Sequence, residues 1–320
     1  MLPRQICTLQ RKVSSNIPAC PAFEFPPPME RTPSKPMAAL WMAGWLTLML
    51  MITVAGREAL HELNVFQLIL IRSSVGLVLL YPLIHRAGGF AVVKTRRLPQ
   101  HIARNIIHFG AQLGWFFALT LIPIGQVVAI EFTMPIWTAI VAAMFLGERM
   151  TIWKSCAIVL GLVGVVMIVR PATGEINSGQ LIALAAAVGF GISIAMVKSL
   201  TRTEQTVTIV FYMAAVQIAG SLLPGLYAWT WPSLTAWCWA IVVAFCGTFS
   251  HYCMTRALLY ADATVVVPMD FLRVPLTALA GWLLYSERLD AFTVLGAALI
   301  LTGNLVNLRA TTPAPARAAT

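Results

Sequence analysis

The chain has 320 residues, of which 59% are hydrophobic and only 11% are charged, and its formal net charge is +10. Soluble proteins average roughly 45–50% apolar and about 25% charged residues, so this chain has too few charges to cover its apolar surface in water. The composition therefore argues against a soluble enzyme, a nucleic-acid-binding domain and a disordered chain. It predicts an all-α integral membrane protein.

Ten transmembrane helices are predicted along the chain, because roughly 20 apolar residues in a helix cross a hydrocarbon core of about 30 Å. The two spans between Val207 and Thr255 are divided at residues 229–233, Trp-Thr-Trp-Pro-Ser, where interfacial tryptophans and a helix-ending proline coincide. The predicted spans lie at about 37–55, 65–84, 102–121, 125–146, 153–169, 179–198, 206–228, 234–257, 262–285 and 291–308.

The two ends of the chain differ from the apolar middle. Residues 1–36 contain eight prolines, five Lys or Arg and no long apolar run, so we expect a disordered cytoplasmic tail rather than a signal peptide or a span. Residues 310–320 are expected to form a second cytoplasmic tail. The sequence leaves open whether translation starts at Met1, Met29 or Met37.

The distribution of basic residues predicts the orientation in the membrane. With the N-terminus in the cytoplasm, seventeen Lys and Arg lie on the inner side, and only Arg57, Arg170 and Arg288 lie outside. This is a strong positive-inside bias with both termini cytoplasmic, and it accounts for the net charge without a nucleic-acid partner. The six cysteines form no Cys-x-x-Cys pair, so neither a metal site nor a disulfide framework is expected. No cofactor is expected either.

The chain repeats itself at an offset of 139 residues. Five spans in each half put the second half into the membrane from the opposite side, so residues 37–170 and 179–309 are predicted to be inverted repeats of spans one to five and six to ten. Secondary transporters are typically built this way, with a substrate site near the midplane. Matching pairs are 147–150 (Gly-Glu-Arg-Met) with 286–289 (Ser-Glu-Arg-Leu), 138–139 with 277–278 (both Thr-Ala), Glu131 with Asp270, Gln112 with His251 and, one residue out of register, Pro135 with Pro275.

The repeated pattern of a proline followed by Gly/Ser-Glu-Arg resembles the drug/metabolite transporter superfamily, in its EamA-type permeases. Two features resemble the sequences of a proteobacterial subgroup. One is the stretch of residues 268–273, Pro-Met-Asp-Phe-Leu-Arg, followed by Gly281-Trp282, and the other is Arg72. That subgroup contains riboflavin importers, S-adenosylmethionine importers and a metallophore exporter. The resemblance implies a bacterial inner-membrane protein energised by ion or substrate gradients without ATP.

Two acids within predicted spans are the first candidate site residues. Glu131 lies in span four and Asp270, its repeat mate, in span nine. An ionisable group at mid-helix costs about 2.5–3.5 kcal/mol on insertion scales, so each acid needs a function or a partner. Reversible protonation or binding of a cationic or amide-bearing substrate group would be functional roles, and pairing with a neighbouring helix would be a structural one.

Two arginines within spans are the next candidates. Arg273 lies three residues after Asp270, on the same side of the helix. Its guanidinium could therefore form an internal ion pair with Asp270, or it could donate hydrogen bonds to the substrate. Arg72 lies in span two, where it either extends to the outer interface or neutralises Glu131 or Asp270.

Polar and helix-breaking residues complete the candidate set. Gln112 and His251 share a repeat position, and Asn105 and His108 extend the polar stripe of span three, which either binds substrate or joins helices. Trp115 either stacks on a planar substrate ring or packs in the core. Broken helices mark transporter sites, and the prolines expected to interrupt spans four and nine are Pro135, Pro268 and Pro275.

The sequence thus predicts a secondary transporter that moves a small organic metabolite through the lipid bilayer by alternating access. Riboflavin uptake is the first substrate hypothesis. S-adenosylmethionine uptake and export of an amino-acid-like or metallophore-like metabolite are the alternatives. A membrane-embedded transferase using His251 or the acids is the alternative from another class. Proton coupling and a homodimer are both open, and the absence of a P-loop motif argues against an ATPase.

Overall fold

The fold is a bundle of α-helices, described here from a computed structural model at residues 34–145, 152–169, 177–200, 203–260 and 269–311. None of the described residues forms a β-strand. A short 3₁₀ helix at Gly89–Val93 links the second and third helices. The α-helices are α1 (Lys35–Ala59), α2 (Val65–Arg86), α3 (Leu98–Leu121), α4 (Ile124–Glu131), α5 (Met134–Phe145), α6 (Ile152–Val169), α7 (Ser178–Leu200), α8 (Thr206–Tyr227), α9 (Leu234–Tyr260), α10 (Arg273–Tyr285) and α11 (Ala291–Thr311).

The helices follow the predicted spans closely. Spans one to three, five to eight and ten each correspond to one helix, whereas span four is divided into α4 and α5. Within the described part of the chain, five helical stretches can cross a membrane by length and composition: 36–59, 65–86, 124–141, 178–197 and 207–227. Three shorter apolar stretches lie at 158–168, 234–250 and 291–306. The two predicted tails lie almost entirely outside the described residues.

The outer surface of the bundle is apolar, as a lipid-facing surface requires. Large side chains such as Val78, Val159, Leu223 and Leu283 are each at least 60% exposed. In a soluble monomer, contiguous apolar patches this extensive would be a liability. In a bilayer the lipid is the solvent, so an apolar surface is expected. The backbone polar groups need no partner in the lipid, because they are hydrogen-bonded inside the helices.

The order in which helices pack agrees with two inverted halves. Spans one and eight pack together (α1 with α9), and so do their counterparts under exchange of the halves, spans six and three (α7 with α3). Three further pairs, α2 with α8, α4 with α10 and α6 with α11, each map onto themselves, and the contact of α2 with α9 maps onto that of α8 with α3. A pseudo-two-fold relation between the halves produces this pattern, so the packing supports the inverted-repeat architecture.

Spans five and ten meet through a reciprocal glycine contact. A Cβ on Gly164 would lie 2.6 Å from the carbonyl oxygen of Gly296, and a Cβ on Gly296 would lie 2.6 Å from that of Gly164. Ile300 and Ile168 take the matching second positions. Small residues therefore let the two backbones touch.

Polar caps fix the loops at one end of the bundle. Asn64 caps α2 by accepting a 2.8 Å hydrogen bond from the backbone N–H of Gln67. Glu62, in the same loop, accepts hydrogen bonds from the hydroxyl and backbone N–H of Ser233, at 2.7 and 3.0 Å. These bonds favour the carboxylate and hold the pKa of Glu62 below its usual value. The first turn of α2 is thereby tied to the start of α9.

Candidate functional site

Two spans are interrupted at equivalent positions. The helix of span four ends at Glu131 and resumes at Met134, and the helical turn that contains Asp270 is followed by a new helix from Arg273. The two-residue breaks, 132–133 and 271–272, are separated by 139 residues, the offset of the sequence repeat. The acids Glu131 and Asp270 are thus the last helical residues before the two breaks.

Prolines account for both breaks. Pro135 is the second residue of α5 and Pro275 is the third residue of α10, where a missing N–H is tolerated. Each proline disfavours a continuous helix, because its ring would clash with the carbonyl four residues earlier. The carbonyl of Phe132 at the first break instead accepts a 2.8 Å hydrogen bond from the side-chain amide of Asn304 in α11. Pro268 lies outside the described residues.

Arg273 joins the two interrupted spans. Its Nη2 donates to Glu131 Oε1 at 2.9 Å, and its Nε lies 3.9 Å from Asp270 Oδ1. The guanidinium lies 4.8 Å from the centre of the Phe132 ring, a cation–π distance. The structure therefore brings Glu131, Asp270 and Arg273 together at the breaks.

A tryptophan holds each acid from another helix. Trp115 Nε1 in α3 donates to Glu131 Oε2 at 2.8 Å, and Trp45 Nε1 in α1 donates to Asp270 Oδ1 at 2.6 Å. We call these three charged residues and two tryptophans the acid–arginine site. Sequence reasoning missed Trp45. Its signal was its place within a span, away from the interface that tryptophan prefers.

The charges of the acid–arginine site do not balance. Two carboxylates face one guanidinium, so the site carries one excess negative charge when both acids are ionised. The side chains of Glu131 and Asp270 are 15% and 16% exposed, against 7% for Arg273. The site can therefore accept a proton or a cationic substrate group, which would neutralise the excess charge in a low-dielectric environment.

A second polar group lies where α2, α3 and α8 meet. Gln217 Oε1 accepts hydrogen bonds from Arg72 Nη1 at 3.2 Å and from Ser73 Oγ at 2.8 Å. Gln217 Nε2 donates to Gln112 Oε1 at 2.6 Å. We call Arg72, Ser73, Gln112 and Gln217 the arginine–glutamine chain. Gln217 was missed by sequence reasoning, although a glutamine in the charge-free stretch of span seven was a usable signal.

The remaining polar candidates have different neighbours in the structure. Arg72 forms no ion pair with any described carboxylate, so neither Glu131 nor Asp270 neutralises it in this conformation. Asn105 is buried beside Arg104, which donates to it at 2.5 Å, and His108 lies against Ser193 and Phe190 of α7. Both therefore lie in helix contacts. The side chain of His251 lies outside the described residues.

Glu287 links the two halves at one end of the bundle. Its Oε2 accepts a 3.0 Å hydrogen bond from the backbone N–H of Ile124, the first residue of α4, so it caps that helix. Its Oε1 forms an ion pair with Arg57 of α1. Beside it, Tyr285 donates to Glu58 at 2.7 Å and lies under the Arg57 guanidinium. The end of span nine is therefore attached to the start of span four.

A family model described as the EamA-like transporter family matches the chain twice, over residues 36–170 and 177–309. The two matches cover the two halves that the internal repeat separates. Together they take in nearly all of the described helices.

Curated relatives that are named as transporters match most of the chain at moderate identity. An S-adenosylmethionine uptake transporter of Rickettsia prowazekii is 28% identical over 76% of this chain and 83% of its own. A riboflavin transporter of Brucella anthropi is 32% identical over 73% and 84%. A pseudopaline exporter of Pseudomonas aeruginosa is 27% identical over 77% and 86%.

The fold is also that of a solved structure. A crystal structure of another protein superposes with a TM-score of 0.60 at 18% identity, covering 88% of this chain and the whole of that one. This likeness shows a shared arrangement of helices. The family and the relatives together show a multi-pass membrane transporter and not an enzyme.

Proposed function

Because the chain belongs to the EamA-like transporter family, we propose that the acid–arginine site is where it binds a small metabolite and couples that binding to alternating access. One observation carries the proposal: two half-buried acids and one arginine meet at the breaks of two equivalent spans, with one negative charge in excess. Interrupted helices and a midplane site at the repeat interface are the construction expected of such a carrier.

The excess charge gives the site a mechanism for coupling. A proton and a cationic substrate group would compete for the same carboxylates, so binding of one favours release of the other. Arg273 stays paired to Glu131 during this exchange and keeps the two interrupted spans together. Trp45 and Trp115 orient the carboxylates, since each indole N–H donates to one acid.

The proposed carrier lies in a bacterial inner membrane with both termini in the cytoplasm. The basic residues support this orientation, because Arg57 and Arg288 stand nearly alone on the opposite side. Residues 37–170 and 179–309 would then be the two repeats, flanked by cytoplasmic tails.

Two substrates compete for this site. S-adenosylmethionine carries cationic groups that match the excess negative charge, and a relative at 28% identity is named for its uptake. Riboflavin has no cationic group, but its imide oxygens suit an arginine fork, and a relative at 32% identity is named for it. The charge of the acid–arginine site favours the cationic substrate, and riboflavin uptake is the second candidate.

The test is transport by the purified protein in liposomes, measured in both directions with labelled S-adenosylmethionine and labelled riboflavin. Saturable flux of S-adenosylmethionine that Glu131→Gln abolishes would support the proposal. Glu62→Gln is the control, because Glu62 is exposed and lies in the loop between α1 and α2. Riboflavin flux alone would reverse the order of the substrates. Equal flux by the wild-type protein and Glu131→Gln would refute the assignment of the site.

A further inference from the structure

Arg72, within span two, forms no ion pair with a carboxylate of the described residues. Arg72 is the eighth of the 22 residues of α2. Its one hydrogen bond within the described chain runs from Nη1 to the neutral amide of Gln217, and its Nε is buried without a partner. An amide oxygen compensates a full positive charge only in part, so this guanidinium remains electrostatically unsatisfied.

The surrounding helices make room for this guanidinium within the bundle. A Cβ on Gly247 of α9 would lie 2.9 Å from both Nε and Nη2 of Arg72, so the lack of a side chain at this position lets the guanidinium lie close against α9. Gln217 is fixed in turn by Ser73 and Gln112. The Nη1–Nη2 edge is therefore the side from which an anionic group can approach, in exchange for the Gln217 amide oxygen.

One turn of α3 connects the arginine–glutamine chain to the acid–arginine site. Gln112 belongs to the first group, and Trp115, three residues later on α3, belongs to the second. Residues three apart on a helix are neighbours at about 5–6 Å between Cβ atoms. Arg72, reached from Gln112 through Gln217, and Glu131, bonded to Trp115, are thus attached to neighbouring side chains of α3.

We propose that the substrate is a zwitterion whose carboxylate binds Arg72 while its cationic group binds Glu131 and Asp270. This inference rests on the proposed function and narrows it to metabolites of the α-amino-acid type. A carboxylate forms two parallel charge-assisted hydrogen bonds with a guanidinium edge, which the Gln217 amide cannot. Release of Gln217 from Arg72 would also weaken its hydrogen bond to Gln112, so binding at Arg72 would affect α3.

The experiment compares two ligands and two variants by equilibrium binding to the purified protein. The ligands are S-adenosylmethionine and its decarboxylated analogue, which keeps the amine and the sulfonium but lacks the carboxylate. Arg72→Gln should weaken binding of the first roughly 10- to 100-fold, the size of a charge-assisted hydrogen bond, and leave the second unchanged. Arg72→Lys keeps the charge without the planar fork and should give an intermediate loss.

The outcomes separate this inference from the proposed function. Equal weakening of both ligands by Arg72→Gln would overturn the carboxylate assignment and make Arg72 structural. Binding of riboflavin that depends on Glu131 and not on Arg72 would also overturn the carboxylate assignment. It would leave the acid–arginine site as the binding site. Binding of any of these ligands that Glu131→Gln leaves unchanged would refute the proposed function itself. Should Arg72→Gln fail to fold, Arg72→Lys with the two ligands gives the same discrimination.

Discussion

The two interrupted spans have the same backbone plan and different chemistry. Both break for two residues directly after an acid, and both resume at a helix with a proline in its first turn. At the first residue after the break, however, the first half has Met134 where the second has Arg273. A duplicated backbone therefore supplies the geometry twice, while single side chains decide which half carries the charge.

The same asymmetry extends to the partners of the two breaks. Glu131 has two close donors, Arg273 at 2.9 Å and Trp115 at 2.8 Å, whereas Asp270 has Trp45 at 2.6 Å and Arg273 only at 3.9 Å. The pairing between the halves is thus stronger than the pairing within span nine.

The largest effect is expected from making the two breaks alike. Arg273→Met gives the second half the residue of the first and leaves two acids without their cation. Removing one partner of a buried ion pair costs about 3–5 kcal/mol, so we expect a large drop in melting temperature and loss of transport. Arg288→Gln, at an exposed loop position, is the control. A melting temperature unchanged in Arg273→Met would mean that the ion pair is unimportant.

The next comparison is between the two acids. Glu131→Gln removes a charge with two close donors and Asp270→Asn removes one with a single close donor, so the first change should cost more. We expect the two free energies of unfolding to differ by about 1–2 kcal/mol, the worth of a charge-assisted hydrogen bond. Thermal unfolding of both variants in one detergent measures this, and a larger loss from Asp270→Asn would invert the assignment.

A smaller loss of stability is expected from a change at the backbone of the first break. Asn304→Leu keeps the branching at Cγ but leaves the carbonyl of Phe132 without its donor, which costs about 1–3 kcal/mol for a buried group. The repeat position of Asn304 in the first half is Val165, so the second break has no equivalent bond to lose. Thr302→Val, exposed on the same helix, should change the melting temperature little. Equal effects of the two substitutions would remove this role from Asn304.

The smallest effect lies in the loop that joins α1 to α2, away from both breaks. The pKa of Glu62 is lowered from its usual 4.5, first by the side-chain and then by the backbone hydrogen bond from Ser233. Because the pKa of Glu62 is lower in the folded than in the unfolded protein, its hydrogen bonds stabilise the fold at pH values above the unfolded-state pKa. This contribution disappears as the pH falls through the folded-state pKa. Ser233→Ala should therefore melt slightly lower than wild type at pH 7, and the difference should shrink in acid. A difference independent of pH would assign it to helix capping instead.

Much of the fold was predictable because its signals are local or periodic. Apolar length marked the spans, and the 139-residue offset placed Glu131 and Asp270 at equivalent points. The packing of α1 with α9 and of α3 with α7 follows from the same symmetry. The break itself was indicated by Pro135 and Pro275, since proline cannot continue a helix.

The partners within the site were not predictable to the same extent. Nothing local in the sequence shows that Trp45 reaches Asp270, 225 residues away, or that Arg72 meets Gln217 and neither acid. Such contacts depend on how helices from both halves rotate and approach, which periodicity in so apolar a chain leaves undetermined.

The reciprocal contact of Gly164 with Gly296 bears on how such a molecule changes shape. If the halves interchange their conformations during a cycle, the pair of helices that makes this contact, α6 with α11, is carried onto itself. The contacts of α1 with α9 and of α3 with α7 are instead carried onto each other. We therefore expect α6 and α11 to act as a fixed pivot, with the motion concentrated in the flanking pairs.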